Sequence, residues 1–320
     1  MKNTVKKADR LPREIVVAGI DLRGIWPTDT IEERINDIIG LRMERVYVFE
    51  PDIICLPETF QTSWVREEKE LEEFAEDETV PGPVTSIIAE VAKKQNCYIV
   101  CPLVTKNEGK YYNSAVLINR KGEIDGVYRK AHLVPSEIDP GGLTPGTLTP
   151  PVFTTDFGKI GMQICYDANW FDCWSHLKKE GAEIIFFPSQ APFINVLKHH
   201  AWVNQAYIVS STGEGARIID ITGDELAKSG WWERWVCETI NLEKEFIHVW
   251  PYVRKTKGIR EKYGDRVNIE VYTPEGWMTI ESRDPEVRVR QILDEFEILT
   301  YDEHLKKNEV VQDKYRMAVD

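Results

Sequence analysis

The sequence predicts an α/β fold built on mixed β-sheets. Short apolar runs such as Ile53–Leu56, Lys159–Ile164 and Ile184–Phe187 alternate with helical stretches such as Pro83–Gln95 and Phe171–Lys179. The strand-like runs carry apolar residues on both faces, as sheets covered on both sides require. Turn signals at Asn119-Arg120-Lys121-Gly122-Glu123 and Thr222-Gly223 add hairpins to the βα units, so parallel and antiparallel pairs are both expected.

In chain order, Glu14–Asp21 reads as a strand, and Thr28–Arg45 as a helix with Asp29 or Thr30 as its N-cap. Ile53–Leu56 is a strand stopped by Pro57. Pro83–Gln95 is a helix with proline near its first turn and Ile87, Ile88, Val91 and Ala92 along one side. Cys97–Val104, Ser114–Asn119, Ile124–Arg129 and Lys159–Ile164 are strands. Phe171–Lys179 is a helix ended at Gly181, followed by strand Ile184–Phe187, helix Val196–Gln205 and strand Tyr207–Ser211. Ala216–Ile221, Glu225–Ala227 and Trp235–Leu242 read as antiparallel strands.

After Phe246 the pattern changes: charges multiply, with strand periodicity only in Val267–Tyr272 and a helical stretch over Pro285–Phe296. Trp250, Tyr252, Trp277, Ile280, Ile292 and Leu293 are too apolar for a free tail and too few for a separate core. The expected division is a domain over residues 1–249 and an extension over 250–320 that packs on a neighbouring subunit, the alternative being that it folds back over its own domain.

The chain has 320 residues, 42% hydrophobic and 29% charged, with a net charge of −13. This excess of acid argues against a nucleic-acid partner, because phosphate contacts need a basic face. No run approaches the roughly 18 apolar residues of a membrane span, and Met1–Arg13 lacks the apolar region of a signal peptide, so a cytoplasmic location is expected. Several of the six cysteines lie in apolar runs and read as reduced, buried thiols. Cys97 and Cys101 have no second Cys/His pair at ligand spacing, and His199 and His200 point in different directions on a helix, so no metal site is expected.

Three strand ends carry chemistry. Cys165 closes the run Lys159-Ile160-Gly161-Met162-Gln163-Ile164, at a strand-to-helix corner where backbone N–H groups can receive developing negative charge. A lone cysteine is ordinarily a small buried hydrophobe, but two other segments stand beside it. Glu58 follows Pro57 at the C-terminal end of a buried strand, where active groups of α/β sheets gather. Lys130 follows the strand-like Gly126–Arg129. A thiol needs a base or a positive neighbour to attack at neutral pH. A desolvated carboxylate can take its proton and return it to a leaving amine. A fixed lysine charge can hold a tetrahedral oxyanion. His132, His199 and His200 are the histidines available for a Cys/His arrangement, and none is needed.

These segments resemble the motifs of the nitrilase, or carbon–nitrogen hydrolase, superfamily: a glutamate in "LPE", a lysine in "YRKxHL" and a cysteine in "GxxICYD". Pro81-Gly82-Pro83, Tyr112-Asn113-Ser114-Ala115, Thr144-Pro145-Gly146, Gly181–Ser189 and Ile218–Gly223 extend the likeness across about residues 14–248. The resemblance implies a four-layer α-β-β-α sandwich of two mixed sheets. It implies a thiol hydrolase of small amides or N-carbamoyl compounds, with Cys165 as nucleophile, Glu58 as general base and acid, and Lys130 as oxyanion stabiliser. Glu137, in "HLVPSE", matches a second glutamate that positions substrate, and the insertion Ile138–Leu143 makes its loop individual. The backbone N–H of Tyr166 is the second oxyanion donor. No metal or organic cofactor is expected, and the partners are a small-molecule substrate and further copies of the chain in a homo-oligomer.

Tyr166-Asp167 after the cysteine, where nitrile-hydrolysing members tend to carry Trp-Glu, points toward an amide or ureido substrate. A nitrilase or an amide acyltransferase using the same triad remains open, as does a catalytically silent scaffold. Position in the chain makes Trp64, Tyr112, Asn113, Gln190, Ala191 and Phe193 candidates for lining the pocket, each alternatively a packing or loop residue. Asn169, Trp170 and the Trp231-Trp232 pair are weaker candidates and are assigned no substrate contact.

Overall fold

The computed structural model describes residues 10–316, so most of Met1–Arg13 lies outside the described residues. The first six strands are β1 (Glu14–Ile20), β2 (Ile53–Cys55), β3 (Glu76–Asp77), β4 (Tyr98–Asn107), β5 (Lys110–Ile118) and β6 (Ile124–Arg129). The next six are β7 (Phe153–Thr154), β8 (Lys159–Met162), β9 (Ile184–Ser189), β10 (Tyr207–Thr212), β11 (Arg217–Ile219) and β12 (Glu225–Lys228). β13 (Trp235–Asn241) returns to the first set, giving a 7-stranded sheet of order β13-β1-β2-β4-β5-β6 with β3 on β4, and a 6-stranded sheet of order β12-β11-β10-β9-β8-β7. β1, β2 and β4 run parallel, as do β8, β9 and β10, whereas β4-β5-β6 and β10-β11-β12 are antiparallel, so both sheets are mixed.

Alternation along each strand sends side chains to two different cores. From the first sheet, Val16, Ala18, Ile20, Ile54 and Ile99 pack under the helices Ile31–Ile38 and Pro83–Gln95. From the second, Ile185, Phe187, Ile208 and Ile219 pack under Asp172–Lys179 and Ile194–Asn204. The remaining faces meet each other: the Ser211 hydroxyl donates to the Cys55 carbonyl at 2.9 Å and accepts the Ile20 N–H at 3.1 Å. At Gly19 the sheets approach so closely that a Cβ would lie 2.8 Å from the Ser210 carbonyl. The layers are therefore helix, sheet, sheet, helix. Each fully buried aliphatic side chain contributes about 1.5–3 kcal/mol.

The helix Pro83–Gln95 has the expected bounds, but its buried residues are Val84, Thr85, Ile88, Ala89 and Ala92, with Ile87 and Val91 only partly covered. Thr30 caps the first helix in a capping box with Glu33; the α-helix ends at Ile38 and loosens into a π-helical stretch over Ile39–Met43, short of the expected single helix to Arg45. β8 ends at Met162, earlier than expected, because the chain turns there toward Cys165.

The described residues divide into two compact units, residues 15–240 forming the first and 10–14 with 241–316 the second. The second unit has a 3-stranded antiparallel sheet of order β14 (Lys244–His248), β16 (Trp277–Ser282), β15 (Val267–Tyr272). Ile247, Ile259, Met278, Ile280, Ile292 and Leu293 form its core. This corrects the expectation that the C-terminal stretch lacks a core. Its apolar residues are spread thinly along the chain and gather only when β16 pairs with both neighbours. That pairing also draws β14 into the second unit, which begins at Asn241 instead of 250. The helix expected over Pro285–Phe296 is confined to Val289–Glu295, and a terminal helix spans Tyr301–Arg316. Among the described residues, no helix is long and apolar enough to cross a membrane.

Candidate active site

Beyond β8, Cys165 adopts φ 47 and opens a 3-10 turn over Cys165–Asn169. A non-glycine residue in this left-handed region costs about 1–3 kcal/mol and persists only where its surroundings over-determine it. Here the buried Asp167 carboxylate accepts the Ile164 N–H at 2.9 Å, and the Trp174 indole N–H donates to the Asp167 carbonyl at 3.1 Å. His200 Nε2 donates to the Ala168 carbonyl at 2.9 Å, and its ring stacks on Trp174 at 4.0 Å. Burial pulls His200 down to about 4, so it braces the turn as a neutral ring.

Glu58 stands where the chain leaves β2 and is buried. Its Oε1 accepts Lys130 Nζ at 2.9 Å and Asn113 Nδ2 at 2.9 Å; its Oε2 accepts the backbone N–H of Gln190 at 3.0 Å. The Gln190 side-chain amide reaches back to the Glu58 carbonyl at 2.5 Å. Lys130 follows β6, its N–H donating to the Asn113 carbonyl at 2.8 Å and its carbonyl accepting the Gly146 N–H at 2.8 Å. A Cβ on Gly146 would lie 2.2 Å from the Arg129 carbonyl, which is why the Thr-Pro-Gly segment needs glycine there.

Glu137 lies on the one-turn helix Pro135–Ile138. Its Oε2 accepts Lys130 Nζ at 2.8 Å and the Val134 N–H at 2.7 Å, and its Oε1 accepts Asn113 Nδ2 at 2.8 Å. Two carboxylates thus share one ammonium and one amide. Lys130 is only 2% exposed. Burial works against its charge, but Glu58 and Glu137 outweigh that and hold its pKa above the ordinary lysine value. The Cys165 thiol is pushed up by burial and by the Glu58 charge, against the opposing pull of Lys130, the Ser189 hydroxyl and the Gln190 N–H. Burial and the Glu58 charge together favour the thiol form of Cys165 over the thiolate.

Of the residues singled out in the sequence, Glu58, Lys130, Glu137, Asn113 and Gln190 are joined by hydrogen bonds, and Cys165 interacts with Glu58, Lys130 and Gln190. Tyr166 directly follows Cys165, its ring edge-on to Trp170 at 5.0 Å. Tyr112 is not brought to this cluster: strand alternation turns it away from Asn113, and its ring lies under the Arg129 guanidinium at 4.0 Å. Trp64 is an exposed loop residue whose carbonyl accepts the Thr28 N–H. The Ala191 N–H bonds the Ser189 hydroxyl, and Phe193 packs on Phe187. Asn169 holds the Tyr166 carbonyl, and Trp231 and Trp232 are exposed, with Arg234 over the Trp231 ring.

Sequence reasoning missed the buried Asp167 and its partners. Asp167 accepts the Tyr128 hydroxyl at 2.7 Å, the His132 N–H at 2.8 Å and His132 Nδ1 at 3.1 Å, besides the Ile164 N–H. An acid within an apolar segment demands such partners, and the donors crowded into Tyr128–His132 were the available signal.

The carbon–nitrogen hydrolase family model matches residues 35–244. The chain belongs to the carbon–nitrogen hydrolase family. This family member is 34% identical over 173 residues to a beta-ureidopropionase of Arabidopsis thaliana, covering 50% of this chain and 42% of the relative. It is 33% identical over 172 residues to a nitrilase of Pyrococcus abyssi, covering 51% and 62%. The matched region thus spans less than two thirds of either relative. Among solved structures, Saccharomyces cerevisiae Nit3, a member of branch 10 of the nitrilase superfamily, superposes with a TM-score of 0.62 at 19% identity, covering 80% of this chain and 96% of that one. At that identity the likeness is one of fold.

Proposed function

We propose that this chain is a thiol hydrolase of non-peptide carbon–nitrogen bonds, cleaving a small amide or N-carbamoyl compound through a thioester on Cys165. The observation that carries the reading is the Gln190 N–H, which faces both Glu58 and Cys165 and so sets base and nucleophile side by side. Glu58 takes the thiol proton, and the sulfur attacks the carbonyl carbon as the C=O electron pair moves onto oxygen. Lys130 and the Tyr166 N–H receive the oxyanion. When it collapses, the C–N bond breaks and protonated Glu58 returns its proton to the leaving nitrogen. Water, deprotonated by Glu58, then attacks the thioester and the thiol is restored. Glu137 and Asn113 hold Lys130 and Glu58 in place for both half-reactions.

The ureido chemistry in the name of the Arabidopsis relative and the Tyr166-Asp167 pair favour an amide or ureido substrate. The nitrilase name of the Pyrococcus relative keeps nitriles as the second reading. We further propose a homo-oligomer that needs no cofactor; a monomer of about 37.0 kDa in light scattering would contradict the first part. The test of substrate is ammonia release from a panel of ω-amides, N-carbamoyl amino acids, N-carbamoyl polyamines and nitriles, with Cys165→Ala as control. Turnover of an amide or ureido compound supports the reading. Preference for nitriles favours the alternative. No turnover by protein whose Cys165 still alkylates points to a silent scaffold.

A further inference from the structure

We infer that His132, Asp172 and Cys173 form a zinc site. Their donor atoms, an imidazole nitrogen, a carboxylate oxygen and a sulfur, all lie within 4.8 Å of one another. His132 comes from the loop after β6, and Asp172 and Cys173 open the helix Asp172–Lys179. No ligand spacing in the sequence announces the set, since 40 residues separate its two parts.

The histidine is prepared for a metal. Its Nδ1 lies 3.1 Å from an oxygen of the buried Asp167 carboxylate, which also accepts its backbone N–H. In the neutral ring, a carboxylate partner there favours the tautomer protonated on Nδ1, which turns the Nε2 lone pair toward Asp172 and Cys173. This is the arrangement that orients and strengthens metal-binding histidines. The ring is fixed by stacking on Trp170 at 4.3 Å and 4°. Nε2 faces Asp172 Oδ2 at 3.6 Å, too far for a good hydrogen bond. The Cys173 sulfur makes a weak contact with the Leu148 carbonyl at 3.7 Å and also interacts with the Asp172 carboxylate.

The donor set suits zinc in kind and charge. Thiolate, imidazole and carboxylate are the ligands of tetrahedral zinc, and a softer set than magnesium or calcium prefers. One thiolate and one carboxylate neutralise a divalent ion. On binding, the Cys173 thiol loses its proton to water as the Zn–S bond forms, with no change of oxidation state. Bond lengths of about 2.0–2.3 Å place tetrahedral donors roughly 3.2–3.8 Å apart, so the set closes by about 1 Å. The Asp172 side chain, 45% exposed, has the freedom to supply that movement. A bound ion joins the loop just past Lys130 to the helix that follows the Cys165 turn. It takes no part in the proposed reaction.

The experiment uses full-length Cys165→Ala protein, so that the nucleophilic thiol does not compete, after dialysis against chelator. Equilibrium dialysis is expected to find one zinc per chain, and cobalt to give a near-ultraviolet thiolate-to-metal band. That band is expected to vanish when Cys173→Ala is added. Asp172→Asn, a change at a partly exposed position, is expected to weaken zinc by about tenfold or more without unfolding the protein. A cobalt band that survives Cys173→Ala overturns the assignment. So does zinc uptake below one per chain in the Cys165→Ala protein, or an affinity indifferent to Asp172→Asn.

Discussion

The Tyr128 hydroxyl donates to the Asp167 carboxylate at 2.7 Å, and that bond ties the strand leading to Lys130 to the turn that carries Cys165. Both residues are buried, so the bond is made out of water, where an unpaired partner is costly. Removing the hydroxyl leaves one Asp167 oxygen with the Ile164 N–H alone. Tyr128→Phe is expected to lower stability by about 1–3 kcal/mol and to reduce kcat more than it raises KM. Denaturant unfolding and steady-state kinetics check the two parts; a pure KM effect would place Tyr128 at the substrate instead.

Cys165→Ala is expected to abolish turnover while leaving the fold intact, because Cys165 is only partly buried and belongs to neither hydrophobic core of its unit. Cys165→Ser is expected to be nearly inactive, since an alkoxide is much harder to form than a thiolate. Circular dichroism with an ammonia assay checks both. Activity near wild type in either variant would remove Cys165 from the chemistry.

The pH dependence of Cys165 alkylation reports its neighbours. Burial and the Glu58 charge raise its pKa, and Lys130 lowers it. The iodoacetamide rate is therefore expected to rise with a midpoint above that of a free cysteine, ordinarily near 8.5. Glu58→Gln removes a negative neighbour and keeps Lys130, so the midpoint is expected to move down although turnover is lost. An upward or unchanged midpoint in this variant would show that Glu58 does not face the thiol.

Glu137→Gln keeps the shape of the contact to Lys130 but leaves Glu58 as the sole carboxylate on the ammonium. Turnover is expected to fall by about 10²-fold or more, the scale of losing a positioned charge in a dry site, with the fold retained. Asn113→Ala removes the amide that both glutamates share and is expected to act in the same direction. Single-turnover acylation rates distinguish these losses from a defect in product release.

The second unit supplies a separate test of stability. Ile280 is fully buried on β16 among core residues drawn from distant parts of the chain. Ile280→Ala is expected to cost about 2–5 kcal/mol in that unit, read as an earlier denaturation step. A single unchanged transition would refute an independent core there.

The sequence by itself determined the elements whose signals are local. Pro83 at a helix start, Thr30 as a cap and the apolar runs that become β2, β8 and β9 are each recognisable within a few residues. So are the positions of Glu58, Lys130 and Cys165 at strand ends, because short motifs hold them there. Tertiary structure alone decided which groups surround them. Gln190 meets Glu58 across 132 residues of chain, and Tyr128 meets Asp167 across 39. It also decided that Tyr112 turns away from Asn113, and that thinly spread apolar residues after Asn241 close into a core. Periodicity records which face of an element is apolar. It does not record which distant donor satisfies a buried carboxylate, and that pairing is settled only when the sheets pack.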